Sequence, residues 1–318
     1  MTFLSGIGTG VAAVVQFAAV VMVAPLIQGV IKTVKARAQR RLGAPIWQPY
    51  ADLAKYFSKT EVVSEQSSWI TTLTPYLVFG CMGAATLFLP LAGAAPLGGA
   101  ADLIVLLALF ALARVFTVLA GLDAGGAFGG MGSSREMMVA VVAEPALLLV
   151  VGSVALRAGT TNLSQIASRF ATQGLYLLTP SHLLAAFACG LLVITETGRL
   201  PVDNPDTHLE LTMIHEGMLL EYSGRSLALL LWATSIKQVV VISLFVSLFL
   251  PWGIPLTGDF PAVVLGLFLS LGKVLIIAVA LGGIEMLVPK FRLFRLPRFL
   301  LTAFLAAFLA ILSQYIIR

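Results

Sequence analysis

Five ionisable side chains, Arg114, Glu144, Lys237, Lys273 and Glu285, stand inside stretches that are otherwise apolar. A charge there costs at least ~2.5–3.5 kcal/mol on membrane-insertion scales unless it faces a partner or water. Such residues either form ion pairs or help to move protons and ions. Glu144 is the clearest of them, set in MVAVVAEPALLLVV with Pro145 weakening the backbone ladder beside it. The structural alternative is an ion pair, Glu144 or Glu285 with Lys237 or Lys273. A second acidic group lies in TETGRLPVDNPDTHLELTMIHEGMLLEYSGR, residues 195–225. Asn204-Pro205 reads as an N-cap followed by a first-turn proline and predicts a helix over 205–221. At roughly 100° per residue, Asp206, Glu210 and Glu221 then share a face and Glu216 lies about 80° aside. Glu196 and Asp203 precede them. His208 and His215 fall on the opposite face at a spacing that matches no metal motif, which points to packing or capping. Leu209, Leu211, Met213, Ile214 and Met218 make the segment too apolar for a free loop, so it packs beneath or re-enters the membrane. Carboxylates clustered at that depth cannot all stay ionised, which is the condition for a proton relay. Lys237 and Glu285 join that candidate set from within the spans.

The elements that position these groups follow from composition. Of 318 residues, 59% are hydrophobic and 11% charged, and the mean hydropathy is +0.98. Too little polar side chain remains to cover a soluble globule of this size. The expected fold is all-α, one polytopic membrane domain over 1–318 with eight transmembrane helices. Stretches long enough to span ~30 Å of hydrocarbon lie near 3–31, 73–95, 101–121, 136–157, 182–198, 226–250, 260–287 and 296–317. The first is no cleavable signal peptide, because its basic residues follow the apolar run. No internal repeat of the transporter kind is visible.

Fourteen of the twenty basic residues fall on one side of these spans: Lys32, Lys35, Arg37, Arg40, Arg41, Lys55, Lys59, Arg135, Arg199, Arg225, Lys290, Arg292, Arg295 and Arg298. By the positive-inside rule that side is cytoplasmic, and both termini face outward. The net charge of +5 is therefore a topology signal and no nucleic-acid footprint. Two long cytoplasmic loops result, 32–72 and 198–225. In the first, Trp47, Tyr50, Leu53, Ala54 and Phe57 predict a short amphipathic helix, lying on the membrane surface or on the protein's own loops. Cys81 and Cys189 lie in apolar runs without ligand spacing. The chain is thus expected to carry no catalytic residue, metal or cofactor of its own.

Glu196-Thr-Gly-Arg199-Leu-Pro201-Val-Asp203, Glu210-Leu211 and Glu221-Tyr222-Ser223 resemble the signature of respiratory complex I subunit 1, and Arg41-Leu-Gly43-Ala-Pro45-Ile-Trp47-Gln48 is similar to that family's first cytoplasmic loop. Within the family, quinone-reducing members typically carry Glu where His208 stands and have a shorter stretch before Glu221. Gly121-Leu122-Asp123 and Gly132-Ser-Ser-Arg135-Glu136 resemble the branch found in group 4 NiFe-hydrogenases, formate hydrogenlyase and hydrogenase-4. The resemblance implies a non-catalytic subunit of an oxidoreductase complex in the inner (cytoplasmic) membrane, which anchors the soluble arm and couples electron transfer to ion movement. Its implied partners are NiFe-hydrogenase-like large and small subunits with iron–sulfur clusters, antiporter-like membrane subunits and the lipid bilayer. It implies that Glu136, Glu144, Glu196, Asp203, Glu210 and Glu221 serve proton movement, and that Arg37, Arg40 and Arg41, with Arg199, serve docking. Three competing readings are a quinone-site subunit, a simple ion channel or transporter, and a magnesium-dependent transferase using Asp203-x-x-Asp206. The last lacks a second such motif in the chain.

Overall fold

The computed structural model describes residues 2–93, 95–174, 179–203, 213–253, 260–291 and 293–316. Among them there are eleven α-helices and no strand. They are α1 (Thr2–Ala38), α2 (Gln48–Phe57), α3 (Trp69–Phe88), α4 (Leu103–Asp123), α5 (Ala127–Ala158), α6 (Leu163–Gln173), α7 (Pro180–Glu196), α8 (His215–Leu219), α9 (Gly224–Phe249), α10 (Phe260–Leu287) and α11 (Leu296–Ile316). Seven of them, α1, α3, α4, α5, α9, α10 and α11, are long and apolar enough to cross a membrane, which makes this a multi-pass membrane protein. The expected span near 182–198 corresponds to α7, an apolar helix of 17 residues.

In lipid, helices gain little from burying apolar surface against each other, so they associate through close packing of small residues and interhelical hydrogen bonds. Both are present. Ala303, Ala306, Ala307 and Ala310 form the buried stripe of α11, which packs on α5 and α7. Gln314 in α11 donates to the Ser153 carbonyl of α5 at 2.9 Å. The Gln16 amide in α1 donates to the Thr86 and Leu89 carbonyls, each at 2.8 Å, and the Trp232 indole donates to the Val21 carbonyl.

Three elements differ from the sequence reading. Helix α5 begins nine residues earlier than expected, because Gly126, Gly129, Gly130 and Gly132 read as loop when only local propensity is weighed. Helix α8 packs onto that glycine-rich turn: a Cβ on Gly132 would lie 2.9 Å from the Ile214 carbonyl oxygen and 3.0 Å from the Met218 nitrogen. The helix expected over 205–221 is not continuous. Met213 and Ile214 are non-helical, and among the described residues of this stretch His215–Leu219 is helical, while Asp206, His208 and Glu210 lie outside the described residues. Helix α6 was not anticipated. Its Leu163, Ile166, Ala167 and Phe170 are buried at three-to-four-residue spacing, and Asn162 caps it by accepting from the Ser164 and Gln165 amides. Helix α2 matches its expectation and rests on the protein's own helices: Phe57 meets Trp232 of α9 edge-on, and the Tyr50 hydroxyl donates to the Met22 carbonyl of α1.

Candidate functional site

Of the five intramembrane charges, Glu144 and Lys237 gather around Arg114. Helix α4 carries this guanidinium inward, and three carboxylates from two other helices close on it. Its Nε donates to Glu136 at 3.1 Å and its Nη1 to Glu144 at 2.5 Å, both on α5. Its Nη2 donates to both Glu196 oxygens at the end of α7, at 2.5 and 2.6 Å. Glu136 and Glu144 are eight residues apart, a little over two turns, so one face of α5 presents both. Lys237 of α9 completes the cluster with its Nζ 2.9 Å from Glu196. Arg114 and Glu196 are buried, whereas the Glu144 side chain is 43% exposed. Formally, three carboxylates face two cations.

Two smaller charge groups lie beside it. Glu285 of α10 receives Lys35 of α1 at 2.7 Å and Arg199 at 3.3 Å, and Arg199 also donates to the Gln238 side-chain oxygen at 3.0 Å. Asp203 takes Lys290 at 2.9 Å and accepts from the Ile214 and His215 amides at 3.2 and 3.3 Å, which ties the start of α8 to the end of α7. A cavity of about 150 Å³ connects all three groups. Its lining includes Glu136, Glu196, Arg199, Asp203, His215, Glu216, Lys237 and Gln238. The buried Gln238 Nε2 has no hydrogen-bond partner, so this polar space presents an unused donor and has room for several water molecules. Buried polar groups require such partners. Carboxylates lining a polar space of this size have the chemistry for proton exchange. Among the described residues, no three His, Cys, Asp or Glu side chains stand together as a metal-binding set.

The structure brings together Glu136, Glu144, Glu196 and Lys237 directly, places Asp203 and Glu216 on the cavity wall, and sets Glu285 behind Arg199, which lines it. Glu221 stands apart, its Oε1 accepting from the Gly129 amide in the first turn of α5 at 3.3 Å. Arg199 is buried and engaged inward, unlike a surface docking residue, whereas Arg37, Arg40 and Arg41 are exposed. The pairings proposed from sequence also change. Glu144 finds Arg114, Glu285 finds Lys35 and Arg199, and Lys273 donates to the Leu250 and Trp252 carbonyls at the end of α9. His215, assigned from sequence to the face away from the acids, lines the cavity instead, its Nε2 3.4 Å from Thr234 Oγ1. Burial holds its pKa below the ordinary histidine value, so the ring is neutral at neutral pH. Lys35 and Gln238 are site residues that the sequence reading did not assign, and it picked out Arg114 without giving it a partner. For Arg114 a signal existed, a lone cation in a 21-residue apolar helix.

Comparison with known proteins places the chain in a family. The sequence model of the family described as NADH dehydrogenase matches residues 11–315. Formate hydrogenlyase subunit 4 of Escherichia coli K12 is 37% identical over 292 residues, covering 92% of this chain and 94% of that one. Hydrogenase-4 component C of the same organism is 38% identical over 268 residues, 84% of each chain. A subunit of the NADH-quinone oxidoreductase of Paraburkholderia xenovorans LB400 is 30% identical over 223 residues, 67% of this chain and 62% of that one. A chain in the structure of the membrane-bound sulfane sulfur reductase, an archaeal respiratory membrane complex, shares the fold with a TM-score of 0.82 at 22% identity, covering 95% of this chain and 99% of that chain. The protein belongs to the NADH dehydrogenase family and is a complex I-related membrane subunit.

Proposed function

We propose that this chain is the membrane-anchor and proton-coupling subunit of a complex I-related hydrogenase or formate hydrogenlyase-type complex in the cytoplasmic membrane. The observation that carries this reading is the Arg114 cluster, in which three carboxylates share one buried guanidinium beside a polar cavity. Glu136, Glu144, Glu196 and Lys237 form the relay. Asp203, Glu216 and Glu285 link it to the 198–225 loop, whose sequence also carries Asp206 and Glu210. The chain supplies no redox centre. Its partners are NiFe-hydrogenase-like subunits with iron–sulfur clusters on the cytoplasmic face and antiporter-like subunits in the membrane. The exposed Arg37, Arg40 and Arg41 contribute to docking the soluble arm. Counting α7 as a span makes eight, with both termini outside and the basic loops inside. Identities of 37 and 38% to the formate hydrogenlyase and hydrogenase-4 subunits, against 30% to an NADH-quinone oxidoreductase subunit, support the hydrogenase-type assembly over a quinone-site role.

The test replaces Glu144 or Glu196 by Gln, which keeps size and hydrogen bonding but removes the titrating proton. In inverted membrane vesicles, both variants should assemble and transfer electrons while coupled ion movement falls by an order of magnitude, about the loss expected when roughly 1.4 kcal/mol is added to a transfer barrier. Unchanged ion movement in both would reduce the cluster to a structural ion pair. A purified complex without a NiFe-type subunit would overturn the assembly assignment.

A further inference from the structure

We infer that Glu221 is the N-terminal cap of α5, a positioning residue that sets how Glu136 and Glu144 meet Arg114 and that carries no proton itself. The residue at the N-cap position is Gly126, which has no side chain to offer the first turn. The backbone does not require glycine there, since its φ of −78° and ψ of 143° suit any residue. Space requires it. A Cβ on Gly126 would lie 1.8 Å from Glu221 Oε1 and 2.7 Å from Oε2, so the carboxylate occupies the place of the missing side chain. From there Oε1 accepts from the Gly129 amide, one of the first-turn donors that no helical carbonyl can satisfy. A negative group is also favoured at this end of the helix dipole.

Neighbouring contacts hold the cap in place. The Tyr222 hydroxyl donates to the Thr71 carbonyl at 3.1 Å, and Ser223 Oγ accepts from the Val62 amide at 2.7 Å and donates to its carbonyl at 3.0 Å. Asp123, just before α5, accepts from the Ser68 amide at 2.8 Å and the Thr71 hydroxyl at 2.6 Å. The 221–223 segment and the α4–α5 turn are thereby fixed to the same end of α3. Glu221 does not line the cavity, and Gly129 lies about 10 Å along the helix axis from Glu136, beyond direct proton exchange. The capping assignment is independent of the relay, but the word positioning rests on the relay reading proposed above.

The experiment compares Glu221→Gln, Glu221→Ala, Gly126→Asn and the double variant Gly126→Asn with Glu221→Ala in the assembled membrane complex. Hydrogen exchange is followed at residues 127–130, and coupled ion movement is followed separately. The Gln amide oxygen can still accept from Gly129, so Glu221→Gln should keep wild-type protection and coupling. Glu221→Ala should speed first-turn exchange by roughly 2- to 30-fold, the range for a lost cap, and lower coupling. Gly126→Asn alone collides with the carboxylate, but in the Ala background its own side chain can cap α5, and protection and coupling should return. Should Gly126→Asn fail to assemble, the two Glu221 variants still decide. Unchanged protection in Glu221→Ala, or lost coupling with intact protection in Glu221→Gln, would overturn the proposal. If the Glu144 and Glu196 variants show no relay while Glu221→Ala still frays α5, the cap stands and only its link to coupling falls.

Discussion

Removing the Arg114 guanidinium would leave Glu136 and Glu144 without the cation they share and Glu196 with Lys237 alone. Breaking a buried pair by deleting one partner typically costs about 3–5 kcal/mol, because the charges left behind stay desolvated. Arg114→Ala should therefore lower the thermal midpoint of the detergent-solubilised complex and its accumulation in membranes. Arg114→Lys should recover part of the loss, since a single ammonium cannot bind three carboxylates in the planar fork that a guanidinium provides. Equal stability of the wild type and Arg114→Ala would show that the cluster adds nothing to the fold. At this scale the sequence was half legible. Glu144, Glu196, Lys237 and Glu285 stand out because a charge in an apolar run needs a reason. Which partner each one meets does not, because Arg114 and Glu196 are 82 residues apart and the packing of α5 against both α4 and α7 brings them together. His215 was misplaced for a related reason. A helical wheel assumes an unbroken helix, and the chain is not helical at Met213 and Ile214.

Elements show a different balance. Seven spans and the short α7 were readable from hydropathy to within several residues, except at the start of α5, where glycines serve close packing rather than a turn. Helix α6 was missed because eleven residues with only four buried apolar positions give a weak signal against long apolar neighbours. One glycine contact leads to a prediction about the first loop. A Cβ on Gly29 would lie 1.9 Å from the Ile46 carbonyl oxygen, so the 44–46 backbone rests directly on α1. Thr33 reinforces the contact, its hydroxyl 3.4 Å from the Ala44 carbonyl. Gly29→Ala must push this segment outward while the helix itself gains propensity by about 1 kcal/mol. Protease cleavage in 39–46 should then accelerate in vesicles that expose the cytoplasmic face, with membrane insertion unchanged. Wild-type cleavage rates would mean that the loop is held elsewhere.

For the whole molecule, charge placement and helix order make one joint statement. With α7 counted as a span, as proposed, α1, α3, α4, α5, α7, α9, α10 and α11 would succeed one another with their basic connections on a single side. The topology proposed above requires α7, with 17 residues, to cross in full. At 1.5 Å per residue it covers about 26 Å, short of ~30 Å of hydrocarbon, and local thinning or partner helices must make up the difference. A reporter enzyme active only outside the cytoplasm should work when fused after residue 318 or within 159–162, and should be silent when fused at 64–67. A silent C-terminal fusion beside an active 159–162 fusion would mean that α7 does not span.

Helix α1 runs without interruption to Ala38, so the exposed Arg37 and the buried Lys35 sit on one rigid rod, separated by about 3 Å of axial rise. No hinge lies between them. If Arg37 docks a soluble partner, as proposed, a load applied there cannot be absorbed by a slack joint. It arrives at the Lys35–Glu285 contact as strain across a 2.7 Å ion pair, and Glu285 shares that strain with Arg199. The stiffness of a single helix end would thus make the proposed dock and the membrane interior parts of one mechanical linkage.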